Sequence, residues 1–574
     1  MHKRRAALTV ALFSTASLLA FAAAAHDDDR RTELYKPGVT FASEEPTMPA
    51  SDGSSRPPLY TGLGDGSYPV TTANAEAQAY FDQGLKLAWA FNHAEARRAF
   101  LEAQRLDPNC AMCFWGEAFV LGQNINDGMR PEAIAPAHAA LSRALALAPQ
   151  ATAKEQALIN ALAKRYSADP DADRAALNSA WADAMRAVAK SYPGDVDIQV
   201  IFADALMNLQ PWDYWEADGK TPKGNGGEIV ATLEKALELN PRHPAAAHLY
   251  IHAVEASSTP ERAEPYADLL RGATPAAGHL VHMPAHIYAR VGRHADSLAV
   301  NREAVAADEA MLVQMGDSAS PLYRYGYYPH NVHFLLVAAQ MSGARDDALE
   351  AAAKLGTITS DAVSDELAWV QAIKTAPYSA AAMFAAPEAI AEMPDPGDRF
   401  PFVKGYWHYA RGVGLAQIGA VEEAADEAAA IGALIEKADF AALEAQYLPA
   451  DIILGIAKNI VEARIEQAEG NLEAAETKLR AAIALEDSIA YMEPPYWYYP
   501  VRQTLAANLY LQGRYAESAA TFREALARLP KNGWALWGLM QAEMKAGDPN
   551  AAETKRQFEA VWLGDRSQLA IERL

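Results

Sequence analysis

The sequence predicts an all-α chain built from repeated pairs of antiparallel helices. Alanine is abundant in the 574 residues, the alternation of polar and apolar residues that is typical of strands is hard to find, and small residues recur at fixed spacings. With Ala77 taken as position 1 of a repeat, positions 8, 20, 24, 27 and 32 hold Gly84, Ala96, Phe100, Ala103 and Pro108. Small residues let two helices approach closely, and a proline ends the second helix.

The same pattern recurs near the other end of the chain. With Tyr499 as position 1, the matching residues are Leu505, Ala506, Leu509, Gly513, Phe522, Ala525 and Pro530, and a third clear copy lies within 405–437. These copies resemble the tetratricopeptide repeat (TPR), a helix pair of about 34 residues. The resemblance covers most of residues 73–562 and extends to large exported bacterial TPR proteins. It implies a TPR-type right-handed α-solenoid whose first helices line a concave groove, which in this family usually binds a peptide or another protein.

Changes in composition divide the chain into six segments. We expect a signal peptide at 1–25, an extended segment of low structure at 26–72, an N-terminal TPR-like solenoid at 73–354, an irregular connecting segment at 355–400, further TPR repeats at 401–562 and a tail at 563–574. Residues 26–72 are rich in Pro, Gly, Ser, Thr and Asp, which indicates a tether or strap. Residues 355–400 are rich in Pro and Ala and fit no repeat register well.

The first residues have the features of an export signal. A basic stretch at 2–5 precedes an apolar run at 6–25, and the alanines at 23–25 offer an A-x-A cleavage site before a polar segment. We therefore expect a periplasmic or secreted protein with no membrane span after removal of the signal. The apolar run is also long enough for an uncleaved membrane anchor, so that alternative stays open.

The charge of the chain bears on its partners. The formal net charge is −23, and so acidic a chain repels phosphate backbones. We expect no nucleic-acid partner. The expected ligand is a peptide, a protein or a small molecule in the concave groove.

Seven of the 14 histidines form three clusters with helical spacing. The clusters are His248 with His252, His279 with His282 and His286, and His330 with His333. Residues three or four apart share a helix face, so each cluster presents its imidazoles on one side of one helix. When the helix–helix turns are set at Ser258, Gly292 and Gly343, the seven fall at repeat positions 2, 5 and 9 of successive first helices. In TPR proteins these positions face the groove.

This register favours a transition-metal site. Neutral imidazole is the commonest metal ligand in proteins and suits zinc, copper or iron. Side chains of adjacent helices, which lie roughly 8–10 Å apart, can converge on one ion. Glu255 and Asp308 are the nearest carboxylates that could complete the ligand set or fix a tautomer. Two alternatives stay open: the histidines only set the polarity of a metal-free protein- or peptide-binding scaffold, or they sense mild acid.

Other candidate residues are few. Cys110 and Cys113 form a C-x-x-C pair, which in an exported protein predicts a structural disulfide. Tyr327 and Tyr328 precede a groove helix and could wall a ligand pocket, and Tyr406 and Tyr409 extend the groove-facing stripe. No glycine-rich phosphate loop and no G-x-S-x-G motif occurs, so no catalytic residue is predicted and enzymatic activity stays open.

Overall fold

Alternating helices and short turns make up most of residues 56–169 and 171–574, the part of the chain that this computed structural model describes. Helices adjacent in the chain pack against each other as hairpins. Within the described ranges no β-strand forms, and strand-like pairing is confined to a bridge between Trp215 and Pro222. The all-α prediction is confirmed. The predicted signal peptide at 1–25 lies outside the described residues.

The helices fall into two stretches of chain. Those before residue 320 are α1 Ala75–Trp89, α2 His93–Leu106, α3 Ala111–Val120, α4 Pro131–Leu147, α5 Ala153–Leu162, α6 Arg174–Ser191, α7 Val196–Met207, α8 Gly226–Leu239, α9 Pro244–Val254, α10 Glu264–Leu270, α11 Gly278–His282, α12 Pro284–Arg290 and α13 His294–Met315. Those after it are α14 Tyr328–Ser342, α15 Arg345–Ile358, α16 Asp361–Glu366, α17 Ala368–Phe384, α18 Pro387–Ala391, α19 Pro401–Gln417, α20 Val421–Lys437, α21 Ala441–Glu444, α22 Ala450–Ala468, α23 Leu472–Glu486, α24 Val501–Leu511, α25 Tyr515–Arg528, α26 Gly533–Ala546 and α27 Ala551–Val561.

The large apolar residue at repeat position 24 packs against glycine residues of neighbouring helices, where no side chain is in the way. The ring of Phe100 lies so close to Gly84 and Gly116 that a Cβ atom on Gly116 would be 2.3 Å from it. Near the other end, Phe522 packs in the same way, 2.2 Å from where a Cβ of Gly538 would lie. The repeat spacing therefore has a direct packing cause, because each aromatic ring needs a neighbouring helix without a side chain at that point.

Residues 56–72 form an extended strap that is packed against the helices. The backbone N–H of Tyr60 donates to Gln83 Oε1 at 2.7 Å, and its hydroxyl donates to Glu95 at 2.8 Å. The carbonyl of Gly62 accepts from the N–H of Ala276 at 2.9 Å. The strap thus links α1 and α2 to the segment that leads into α11.

The segment expected to be an irregular connection, 355–400, differs from that expectation. It contains the end of α15 together with α16, α17 and α18, and α17 packs against α14, α15 and α19. Pro377 lies inside α17 without ending it. Alanine-rich helices show little of the spacing that identifies a repeat, so sequence patterns alone missed these helices.

The later helices fold back onto the middle of the chain. The indole N–H of Trp534 donates to the carbonyl of Gln340 at 2.7 Å, and His294 Nε2 lies 3.0 Å from the carbonyl oxygen of Pro530. On the other side, Asn92 of the α1–α2 turn contacts Met315 at the end of α13. Both the start and the later part of the chain therefore pack against α13 and α14, close to the histidines.

We expect Gly116→Ala to lower the free energy of unfolding by about 1–3 kcal/mol, because the added methyl group overlaps the Phe100 ring. The matched control is Gly356→Ala in α15, where a Cβ atom meets nothing within 4 Å. The control should be neutral or stabilising by about 0.5–1 kcal/mol. Thermal and urea unfolding of both variants measure the difference. Equal stability of the two variants would contradict the packing described for Phe100.

Candidate metal centre

The seven clustered histidines lie on four helices that meet in the covered middle of the chain. His248 and His252 are on α9, His279 and His282 on α11, His286 on α12, and the remaining two on α14: His330 and His333. Six of the seven are buried, and His330 is half-buried. The repeat register alone suggests an exposed groove face. The structure differs, because the α1–α2 turn and the segment at 489–500 cover the histidines.

The middle cluster is not on one continuous helix. Pro284 has no N–H to donate and begins a new helix, so α11 ends at His282 and α12 carries His286. Met283 alone separates the two helices and keeps helical dihedral angles, and both helices pack against α13. The three imidazoles consequently still lie on one side of the broken helix, as the spacing predicts.

Six of the histidines form two groups of three, which we name triad A (His248, His252 and His279) and triad B (His282, His286 and His330). Within each triad, one ring nitrogen from every member lies within 4.8 Å of the others. In triad A, the Nε2 atoms of His248 and His279 are 3.1 Å apart. In triad B, the Nε2 atoms of His282 and His286 are 2.8 Å apart. Two imidazole nitrogens bound to one tetrahedral zinc ion at 2.0–2.1 Å stand roughly 3.3 Å apart, so small shifts would accommodate an ion.

The two triads are built from the same repeat positions. Triad A takes positions 5 and 9 of the repeat that begins with α9, and position 2 of the next. Triad B takes positions 5 and 9 of that next repeat, and position 2 of the one beginning with α14. A single repeat-to-repeat step therefore relates the triads, and the arrangement follows from the regular stacking of helix pairs.

Glu255 connects the two triads. One carboxylate oxygen lies 2.8 Å from Nδ1 of His252, and the other lies 2.6 Å from Nδ1 of His286. Glu255 is fully buried, and its second oxygen also accepts a hydrogen bond of 3.3 Å from the Tyr491 hydroxyl. Burial raises the pKa of Glu255, while the imidazole N–H of His252 counteracts that rise by stabilising the carboxylate. An ionised Glu255 holds both imidazoles as Nδ1–H tautomers, with the Nε2 lone pairs free to bind a cation.

Asn301 fixes the tautomer of a third histidine. Its Nδ2 donates to the carbonyl of Ser297 at 2.8 Å, so its Oδ1 must accept from His282 Nδ1, 2.6 Å away. His282 Nε2 then carries a lone pair that faces Nε2 of His286. With Glu255 ionised, two lone pairs face each other across 2.8 Å. A cation bound to both nitrogens would remove that repulsion.

Aromatic rings enclose both triads. Phe91 packs on triad A, with its ring centroid 4.6 Å from that of His248 and 5.1 Å from that of His279. The ring of Trp212 is 5.0 Å from His252. Phe91 and Trp212 have φ angles of 56° and 65°, a left-handed conformation that is rare for bulky residues. Phe334 covers triad B, with its centroid 4.6 Å from both His282 and His286.

Burial keeps these imidazoles neutral. Loss of solvation lowers the pKa of all seven histidines, to about 3 for His286 and His333. The lowering is opposed at His252 by the carboxylate of Glu255 and at His282 by the hydrogen bond with Asn301. Neutral imidazole is the form that binds a metal ion, so the histidines need no deprotonation near neutral pH.

A family model described as tetratricopeptide repeat matches residues 509–554. These residues thus match a tetratricopeptide repeat. The match lies within the copy predicted to begin at Tyr499 and the helix pair that follows it. Among curated proteins, no sequence matches this chain.

Solved structures give matches of low similarity, and one of them is described as a TPR domain. The human IFIT1 dimer with m7Gppp-AAAA is 11% identical, with a TM-score of 0.31 and coverage of 86% of this chain and 90% of IFIT1. Yeast Tom70 is 11% identical, with a TM-score of 0.26 and coverage of 84% and 93%. The P58(IPK) TPR domain is 14% identical, with a TM-score of 0.21 and coverage of 77% and 99%. The RNA named with IFIT1 belongs to that protein, and these matches say nothing about ligands of the present chain.

Several predicted site residues lie apart from the triads. His333 belongs to neither, and its ring packs at 5.7 Å against Tyr498. Asp308 accepts hydrogen bonds from Tyr323 and Asn331, at 2.6 and 2.7 Å, and so orders the turn into α14 instead of holding a histidine. Cys110 and Cys113, at the start of α3, have their sulfur atoms 2.07 Å apart, at disulfide distance.

The four predicted groove tyrosines are all buried. Tyr327 packs on His279 with ring centroids 5.2 Å apart, so it belongs to the wall of triad A. Tyr328 donates to Glu309 at 2.8 Å. Tyr406 and Tyr409 pack against Trp497 in the later part of the chain, away from the triads. No helix of the described residues is long and apolar enough to span a membrane.

Sequence reasoning missed Phe91, Trp212, Asn301, Phe334 and Tyr491. Asn301 is on a second helix, where the repeat register offers no reason to expect a contact with the groove. Phe91 and Tyr491 come from distant parts of the chain, and Tyr491 is 236 residues from Glu255. The aromatic run at 491–499 is visible in the sequence, but nothing in its pattern says which residues it covers.

We expect the imidazole of His282 to be an Nδ1–H tautomer in the metal-free protein, because Asn301 offers it only an acceptor. Two-bond ¹⁵N–¹H correlation spectra of ¹⁵N-histidine-labelled protein distinguish the two tautomers. Asn301→Leu removes the acceptor and should change the His282 signals. Asn459→Leu, on the distant helix α22, is the matched control and should leave them unchanged. An Nε2–H tautomer of His282 in the unaltered protein would contradict this account of the site.

Proposed function

We propose that the protein binds two transition-metal ions, one in each histidine triad, within its stack of tetratricopeptide repeats. The observation that carries the proposal is the equivalence of the triads, since the same three repeat positions converge twice in a buried setting. A lone buried histidine usually serves packing. Two equivalent triads of neutral imidazoles, linked by one buried carboxylate, are difficult to explain by packing alone.

The donor set favours zinc, copper or iron. Imidazole nitrogen is a borderline ligand that suits these ions, whereas magnesium and calcium prefer oxygen. Three imidazoles leave one tetrahedral position open, as in catalytic zinc sites where water or substrate takes the fourth place. Glu255 supports both triads at once, so its carboxylate also offsets part of the positive charge of two neighbouring ions.

The surroundings support metal binding over a polar groove surface. A metal-free protein- or peptide-binding scaffold would present its histidines to a partner, but His248, His252, His279, His282 and His286 are at most 2% exposed. Acid sensing requires imidazoles that gain a proton readily, whereas burial lowers the pKa of these residues. The scaffold role of the repeats can still apply to other surfaces of the chain.

Metal analysis of protein purified without a histidine tag tests the proposal. We expect two ions per chain in the unaltered protein by inductively coupled plasma mass spectrometry. His248→Gln with His279→Gln should remove one ion, and His282→Gln with His330→Gln should remove the other, because each pair disables one triad. His294→Gln is the control, since His294 is also buried but lies outside both triads, with Nε2 3.0 Å from the carbonyl oxygen of Pro530.

The competing functions make different predictions for these variants. If no metal is bound above the buffer level, and added zinc or copper leaves the thermal midpoint unchanged, the metal proposal is wrong and the scaffold alternative gains. Loss of both ions in the His294→Gln control would indicate general unfolding. Circular dichroism of each variant separates that outcome from loss of ligands.

We also propose export to the periplasm or the exterior, on the basis of the basic stretch at 2–5, the apolar run at 6–25 and the alanines at 23–25. Intact mass spectrometry of the exported protein should give a chain that begins at His26. Ala25→Leu, which places a large residue at the cleavage site, should block removal of the signal. A full-length chain found only in the membrane fraction would support the uncleaved anchor instead.

A further inference from the structure

A cavity of about 200 Å³ lies beside triad B. Its wall includes Phe334 and Val337 of α14, Arg290 of α12, and much of the aromatic segment at 489–500. Phe334 has one side on triad B and also lines this cavity, so it separates the two. The volume is below the ~300–1,000 Å³ typical of drug-sized pockets and suits a one- or two-ring molecule.

Both arginines that line the cavity already have partners. Arg290 donates to the backbone carbonyls of Glu255 and Ser257, at 2.8 and 3.1 Å, and lies over the ring of Tyr491. Arg528 is paired with Asp487 at 2.7 Å. Glu486 accepts from the N–H of Val501 at 3.2 Å and faces Arg502, while its Oε2 atom makes no hydrogen bond and burial raises its pKa to about 7. An anion would have to break an arginine pair, and a cation would need Glu486 in the ionised form that burial disfavours, so an uncharged occupant is favoured.

Glu493 is the remaining charged residue of the lining. Its carboxyl group contacts the Tyr491 hydroxyl, and burial together with the nearby Glu255 raises its pKa to about 8. The group is thus largely protonated at neutral pH, and it adds no charge to the cavity.

Three donors of the cavity lining are buried without a hydrogen bond: the Tyr496 and Tyr498 hydroxyls and the indole N–H of Trp497. The Tyr498 hydroxyl lies beside Ser379 and Thr375, so we consider the other two, whose side chains are 7% and 8% exposed. A buried donor without an acceptor costs about 1–3 kcal/mol, so such groups are uncommon unless a ligand or water satisfies them. The flat rings of Phe334, Trp497 and Tyr498, together with Pro494 and Pro495, suit an aromatic molecule.

We infer that this cavity binds an uncharged aromatic molecule that carries a hydrogen-bond acceptor. The apolar walls hold the ring, and the Tyr496 and Trp497 donors bind the acceptor. The inference does not depend on the metal, because neither donor belongs to a triad and Phe334 lies between the cavity and triad B.

A pair of matched probes tests the inference. 2-Acetylnaphthalene and 2-ethylnaphthalene have nearly the same shape, but only the first carries an acceptor. We expect the acetyl compound to bind about 3–10-fold more tightly, as measured by isothermal titration calorimetry with chelator-treated protein. The double change Tyr496→Phe with Trp497→Phe should remove that preference, whereas Tyr447→Phe with Trp407→Phe, away from the cavity, should keep it.

Val337→Phe serves as the second variant, because it fills the cavity from a half-buried position that tolerates a larger side chain. It should weaken binding of both probes while the thermal midpoint stays near that of the unaltered protein. The inference is overturned if neither probe binds, if both bind equally, or if Val337→Phe leaves binding unchanged. Binding found only in metal-loaded protein would place the probe on the metal and also overturn it.

Discussion

The carboxylate of Glu255, buried between the Nδ1 atoms of His252 and His286, is the contact on which the proposed centre depends. A buried carboxylate is unfavourable unless it is hydrogen-bonded, and here two imidazoles and the Tyr491 hydroxyl serve that need. In return the carboxylate sets which ring nitrogen carries the proton. The lone pairs are then directed into the triads, where only a cation can satisfy them together.

Regular stacking explains why there are two triads instead of one. A repeat protein places equivalent positions of successive helix pairs side by side, so a ligand set that spans two repeats is reproduced one step further along. Position 9 of two repeats, His252 and His286, meets the same Glu255. Burial of the set comes from outside the stack: Phe91 covers triad A from the α1–α2 turn, and Tyr491 reaches Glu255 from the segment before α24.

The sequence predicted contacts between residues that are close in the chain or in neighbouring repeats, and it missed contacts between distant segments. Repeat spacing predicted the helix pairs and the turns at Gly292 and Gly343, both of which have positive φ angles, because those features are local. It also brought the histidines of three repeats together, since neighbouring repeats stack in one way. Sequence could not predict the cover from Phe91 and Tyr491, because closure of the stack depends on small rotations accumulated over many repeats. It could not predict helix α17, because alanine-rich packing leaves little pattern.

The most direct measurement of the central claim is an anomalous difference map from crystals of metal-loaded protein, recorded on both sides of the absorption edge of the bound metal. The account predicts two peaks, one at the Nε2 atoms of His248 and His279 and the other at those of His282 and His286, each about 2.0–2.2 Å from its nitrogens. A map with no peak at either triad, or with peaks only at surface residues such as His138, would contradict it.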